Sequence, residues 1–124
     1  MFEVLRIRIF GTQPAAKVTD KTLVRLIQRE FGEQADNVKL KLRQITSDTH
    51  NGKNRISAAI IKLSNKDFKA IDYYIDMYKN DFRDLISQAE YPRCSKLGFN
   101  EMEEQNMKRI YLNDWIDYSN WIND

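Results

Sequence analysis

An all-α fold, a compact bundle of about six helices with room for one N-terminal β-strand, follows from three features of the sequence. From residue 19 onward, apolar residues mostly recur at three- and four-residue spacing. Thr, Ser and Asn stand ahead of several of these stripes, where helix caps belong. Strand-like alternation is confined to the N-terminus and to one short central stretch.

The N-terminal residues 2–10 (FEVLRIRIF) place Leu5, Ile7 and Ile9 on one parity and Arg6 and Arg8 on the other, a strand period ended by Gly11 and Pro14. Leu5 and Ile9 are also four apart, so a helix stays open there. Thr19 then caps a helix over 20–31 with Leu23, Ile27 and Phe31 on one face, and Gly32 ends it. Residues 35–46 carry two patterns at once. Val38, Leu40 and Leu42 alternate with Lys39, Lys41 and Arg43, whereas Ala35, Val38, Leu42 and Ile45 form a helical stripe. Asn51-Gly52 is a strong hairpin signal, so a hairpin pairing 38–46 with 55–63 competes with two helices. The spacing of Ile56, Ala59, Ile60 and Leu63, and the poor strand propensity of Ala58 and Ala59, favour helix for both segments.

Further on, Ser64-x-x-Asp67 reads as a capping box opening a helix through Phe68, Ile71, Ile75 and Tyr78. Asn80 reads as the cap of a short helix carrying Phe82, Leu85, Ile86 and Ala89, stopped near Pro92. Residues 91–100 read as a loop. Asn100-x-x-Glu103, with Glu101, Glu103 and Glu104 well placed at a helix N-terminus, opens the last helix. That helix carries Met107, Tyr111, Trp115, Tyr118 and Ile122 on one face, with Ile110 and Trp121 beside it.

At 124 residues the chain, 1–124, is the length of one domain. With 42% hydrophobic and 11% aromatic residues it can build a core. A charged fraction of 31% and a mean hydropathy of −0.64 point to an aqueous setting. The longest uncharged apolar stretch, 56–61 (ISAAII), falls far short of the roughly 20 residues that span a bilayer. Glu3, Arg6 and Arg8 interrupt the first apolar run, so no signal peptide is expected. A lone cysteine, Cys94, allows no internal disulfide, which fits a reducing, cytoplasmic compartment.

The formal net charge of +2 conceals an asymmetry. Residues 1–69 carry 14 Lys/Arg against 7 Asp/Glu, and residues 70–124 carry 6 against 11, so the halves stand at +7 and −5. Such a dipole steers charged partners to one pole, or else the two halves neutralise each other.

No pattern here carries catalysis, a metal or a cofactor. His50, the single histidine, falls among Asp48, Thr49 and Asn51, and reads as a solvated turn residue rather than a base or ligand. Cys94 lies between Arg93 and Lys96, a setting that would lower a thiol pKa, but no base or oxyanion motif accompanies it. The pairs Asp72/Asp76 and Asp81/Asp84 share helix faces, yet Lys69, Lys79 and Arg83 are interleaved as on an ion-paired surface. The four glycines form neither GxGxxG nor GxxxxGK. The expectation is a non-enzymatic chain without cofactor or metal.

Two surfaces remain. Asp114, Trp115, Asp117, Tyr118 and Trp121 combine aromatics with an acidic rim, the composition of a protein interface, and Trp121 lies off the main stripe. Lys39, Lys41, Arg43, Lys53 and Arg55 form a basic stretch that would meet nucleic-acid phosphate, though it has no aromatics for stacking.

Residues 54–92 (NRISAAIIKLSNKDFKAIDYYIDMYKNDFRDLISQAEYP) carry Arg55-Ile56, Ala59, Lys62-Leu63, Asp67, Asp81-Phe82-Arg83-Asp84 and Ala89-Glu90-Tyr91-Pro92. Asp114-Trp115, Tyr118 and Trp121 follow. The segment resembles one that recurs in an uncharacterised family of small helical bacterial proteins, some of them similar to immunity or accessory proteins encoded beside toxins. The resemblance covers about half of the chain and implies a helical fold without an activity to carry over. Read physically, Arg55 or Arg83 paired with Asp81, Asp84 or Glu90 would lock helix ends together. The expectation is therefore a cytoplasmic protein-binding module, concretely an immunity- or antitoxin-like inhibitor whose acidic half covers a basic partner. Nucleic-acid binding through the 39–55 region is the alternative. An unpaired N-terminal strand would also invite dimerisation.

Overall fold

The computed structural model describes residues 17–97 and 104–124. Helix α1 spans Asp20–Phe31 and runs through a 3₁₀ turn, Gly32–Gln34, into α2, Ala35–Leu42. Helices α3 (His50–Ser64), α4 (Ala70–Glu90), α5 (Pro92–Leu97) and α6 (Glu104–Asn123) follow. The all-α expectation holds among the described residues: five helices have eight residues or more, α5 has six, and there is no strand. The N-terminal strand reading and the Asn100–Glu103 capping box lie outside the described residues. The chain divides into two compact units, one of residues 17–89 and one described over 90–97 and 104–124.

In the unit 17–89, Thr19 caps α1 with its hydroxyl oxygen accepting from the Thr22 N–H at 3.1 Å. The buried face is Leu26, Ile27 and Phe31, so the apolar stripe lies slightly to one side of Leu23. Gly32 ends the helix at a φ of 49°, where a Cβ would be strained. Helix α2 resolves the double pattern of 35–46 in favour of the helical period. Ala35, Val38 and Leu42 are buried, while Leu40, an inward residue in the strand reading, is 53% exposed.

No hairpin forms at Asn51-Gly52. Thr49 caps α3 instead, accepting from the Gly52 N–H at 2.9 Å, so His50, Asn51 and Gly52 make up its first turn. Helix α3 buries Ile56, Ala58, Ala59, Ile60 and Ile61, and ends at Asn65 in the left-handed region. Ser64 closes this helix rather than opening the next, donating its hydroxyl to Ile60 O at 2.7 Å. The opening role falls to Asp67, whose carboxylate accepts from the Lys69 N–H at 3.0 Å.

Helix α4 is broken at Asp81, with φ −157° and ψ 95°. The Asp81 carboxylate accepts from the N–H groups of Arg83 (3.1 Å) and Asp84 (3.3 Å), capping the second half one residue after the Asn80 expected from sequence. Arg83 is exposed, its guanidinium 5.8 Å from the Phe82 ring centroid, so it is not the semi-buried helix lock expected.

Packing within this unit sets α1 against both α2 and α3. The chain leaving α2 is tied to the first half of α4. Tyr78 donates its hydroxyl to Thr46 O at 3.0 Å and accepts from the Thr46 N–H at 3.1 Å. Lys79 reaches Gln44 Oε1 at 2.9 Å. Lys41 pairs with Asp72 at 2.8 Å and lies 4.0 Å from the Phe68 centroid. Asp72 thus pairs across elements, not with the neighbouring Lys69 just ahead of α4.

In the second unit α5 occupies the stretch read as a loop. Pro92 stops α4, but its fixed φ and missing N–H also suit the first position of a new helix. Helix α6 packs on α5. Its buried positions are Met107, Tyr111, Asp114, Tyr118 and Ile122, so a carboxylate takes the place expected for Trp115. The Tyr91 and Tyr111 rings stack at 4.6 Å, with their hydroxyls 2.8 Å apart.

Candidate functional site

Helices α1, α2 and α3 each turn one face toward a shared open groove of about 220 Å³. From α1 come Asp20, Leu23, Val24 and Ile27, at positions i, i+3, i+4 and i+7. From α3 come His50, Lys53, Asn54 and Ser57 at the same spacing, and α2 adds Lys39, Leu42 and its C-cap residue Arg43. The apolar lining is thus chiefly α1, and the cations come from α2 and α3. Val24 stands half-exposed in the groove at 50%.

The helical period divides the basic stretch seen in the sequence. Lys39 and Arg43 are four apart and share the groove with Lys53, whereas Lys41 points to Asp72, and Arg55 does not line the groove. Lys39 has only a loose contact at 3.9 Å with the almost fully exposed Asp36. Neither Arg43 nor Lys53 has an ion-pair partner among the described residues. Lys53 acts on Asp20 only through space, so Arg43 is the least committed of three loosely held cations beside an aliphatic surface.

One carboxylate shares the groove. Asp20 accepts from Asn54 Nδ2 at 2.8 Å and faces His50 Nε2 at 2.5 Å. Hydrogen bonding from Asn54, then from His50, holds the Asp20 carboxyl below its ordinary range. Asn54 also donates to Val18 O at 3.1 Å, and Asn51 Oδ1 accepts from the Val18 N–H at 3.1 Å, so the starts of α1 and α3 are joined. His50 is therefore a first-turn helix residue facing Asp20, thirty residues away, and not a free turn residue beside Asp48.

The five residues proposed from sequence for the C-terminal surface are placed differently. Asp114 is 1% exposed. Its carboxylate accepts from Arg93 Nη1 at 3.0 Å, from the Cys94 N–H at 3.1 Å and, more weakly, from the Arg93 N–H at 3.4 Å. It thereby caps α5 from across the unit, supplying the acceptor that the first helical turn needs. Arg93 continues to Asp117 at 2.6 Å, and Asp117, ahead of Asp114, raises the guanidinium pKa. Tyr118 is fully buried and stacks with Trp121 at 5.7 Å, Trp115 and Trp121 are half-buried, and Asp117 alone is exposed. The apolar residues that α6 does expose are Leu112 and Ile116.

Cys94 is buried, and its thiol is pushed up to about 12 by desolvation, with the Asp114 carboxylate adding to the shift. The depression suggested by Arg93 and Lys96 in sequence is outweighed. Among the described residues no three His, Cys, Asp or Glu side chains converge as metal ligands, and no helix is long and apolar enough to cross a membrane.

Sequence reasoning missed the groove itself, and with it Asp20, Leu23, Val24, Ile27, Leu42, Asn54 and Ser57. A signal was present: Val24 is an apolar residue off the buried stripe of α1, exposed in a basic region. Comparison of the chain with protein-family models, curated proteins and solved structures gives no match.

Proposed function

We propose that this chain is a protein-binding module without chemistry of its own, and that the groove of the unit 17–89 is its binding face. The observation that carries this reading is an aliphatic floor in which Val24 is half-exposed and Leu23 partly so, over the buried Ile27 and Leu42, beside Lys39, Arg43 and Lys53. An apolar centre with a polar rim is how protein interfaces are built. The groove is smaller than the roughly 300–1,000 Å³ of clefts that engulf a small ligand, and suits a few anchoring side chains of a larger partner.

Nucleic-acid binding, the alternative for the 39–55 region, draws on the same cations. Its support is thinner, because the groove has no aromatic ring on which a base would stack and Asp20 stands in the lining. An inhibitor of the immunity type remains one form of the protein-binding reading, with its contact face in the basic half instead of the acidic one.

The test is affinity capture with the full chain and with Val24→Glu as paired baits, each with and without nuclease. A protein that survives nuclease and is lost on Val24→Glu is the expected result. Partners that vanish with nuclease, or that both baits retain equally, contradict it.

A further inference from the structure

Resting on that reading, we infer that the groove's occupant is an acidic amphipathic helix of a partner protein. Its apolar ridge covers Leu23 and Val24, and its carboxylates meet Lys39, Arg43 and Lys53. Charge complementarity selects this occupant. Arg43 and Lys53 hold no carboxylate of their own among the described residues, and Lys39 holds one only at 3.9 Å. Asp20, the one anion in the lining, is engaged by Asn54 and His50 and also feels Lys53. With Lys39, Arg43 and Lys53 set against a single carboxylate, the net charge offered to a ligand is positive.

The secondary structure of the occupant follows from the groove's walls. All three are helices, and the unit offers no sheet edge among its described residues to which a strand could add. Helix-in-groove docking, read through apolar anchors at i, i+3 or i+4 and i+7, is the recognition mode that such walls support. The cations come from two different helices, α2 and α3, so acidic residues are called for at several helical positions around the ridge rather than at one. A basic or neutral helix with the same ridge would bury the same area, but would bring like charge toward Arg43 and Lys53 or leave them unpaired. Because Arg43 is exposed and Lys39 and Lys53 are partly so, their contribution falls as salt rises.

The experiment is a display selection on the full chain. The probe is a library of helix-forming peptides of about 15 residues, long enough to hold a helix. Leucines are fixed at i, i+4 and i+7, and the surrounding positions are varied among Asp, Glu, Lys, Arg, Ser and Ala. The expected outcome is enrichment of Asp and Glu. The selected peptides should lose affinity on the order of ten-fold on Arg43→Glu, recover on Arg43→Lys and weaken with salt. Circular dichroism of the exposed-site variants Val24→Glu and Arg43→Glu checks that each is folded. Selected peptides with basic or neutral flanks that nevertheless require Val24 would overturn the acidic occupant and leave the protein-binding groove standing. If no peptide distinguishes the native chain from Val24→Glu, both the occupant and the groove reading fall.

Discussion

Asp114 illustrates how a single residue can be misread from its neighbours. Beside Trp115, Asp117 and Trp121 it resembles the rim of an interface, yet it stands at the buried position of α6 and closes the first turn of α5. The physical reason is the chain break at Pro92. A six-residue helix starting there has no capping side chain of its own to satisfy its first N–H groups, and Asp114 provides the acceptor. Asp114→Ala should therefore destabilise the chain by about 1–3 kcal/mol, the cost of leaving buried donors unpaired, whereas Asp114→Asn keeps one acceptor and should lose less. Denaturant unfolding measures both.

Cys94, held next to the same carboxylate, has its own signature. Its thiol ordinarily titrates near 9.0 and is raised to about 12 in the folded chain. The unfolded chain therefore loses this proton first. Stability attributable to Cys94 is intact below pH 9 and declines between about pH 9 and 12. Unfolding curves of Cys94→Ser should show a shallower alkaline decline than those of the native chain. Native Cys94 should also resist thiol-alkylating reagents at pH 8 until the chain unfolds.

At the scale of elements, most of the fold was legible and the boundaries were less so. The helices over 20–31, within 35–46 and over 55–63 could be read because burial obeys the same three- and four-residue spacing as the apolar pattern, whereas the start of α3, residues 50–54, reads as a polar turn. The break in α4 was also visible, displaced by one residue from Asn80 to Asp81. Misreadings clustered where one short motif has two physical uses. Ser64-x-x-Asp67 matches a capping box, but Ser64 bonds back to Ile60 and only Asp67 caps. Pro92 stops one helix and starts another.

Asn51-Gly52 is the most instructive case, because the glycine is required for a reason unrelated to a hairpin. A Cβ at Gly52 would stand 2.8 Å from Thr49 Oγ1, the capping oxygen, and closer still to Ser47 Oγ. A Gly-to-Ala change inside a helix ordinarily stabilises by about 0.5–1 kcal/mol. Here Gly52→Ala should destabilise, because it dislodges the cap, and Thr49→Ala alone should cost about 1 kcal/mol. In the double variant the two losses should sum to less than their separate values, since the cap can be lost only once. Equal additivity would show that Gly52 and the Thr49 cap are independent.

For the whole molecule, the charge asymmetry between residues 1–69 and 70–124 was plain in the sequence, but the face that would use it was not. The acidic half carries Asp114 inside and Asp117 paired with Arg93, so its aromatic helix offers less free charge than its composition suggests. The basic half divides Lys39, Lys41, Arg43, Lys53 and Arg55 by helical period, and three of the five converge with Val24 and Ile27. That convergence joins residues from three helices over more than thirty positions of chain. No local spacing rule connects α1 to α3, so the groove could not be read from the sequence as a site.

The central claim, that the groove and not the C-terminal helix receives a partner, is tested most directly by mapping where a ligand sits. The measurement is a backbone amide NMR titration of the full chain with an acidic, leucine-bearing helical peptide of about 15 residues. Shifts are expected at Val24, Ile27, Leu42, Arg43 and Lys53, with Trp115, Asp117 and Trp121 unmoved. Shifts confined to those C-terminal residues, or none at the groove at saturating peptide, would contradict it.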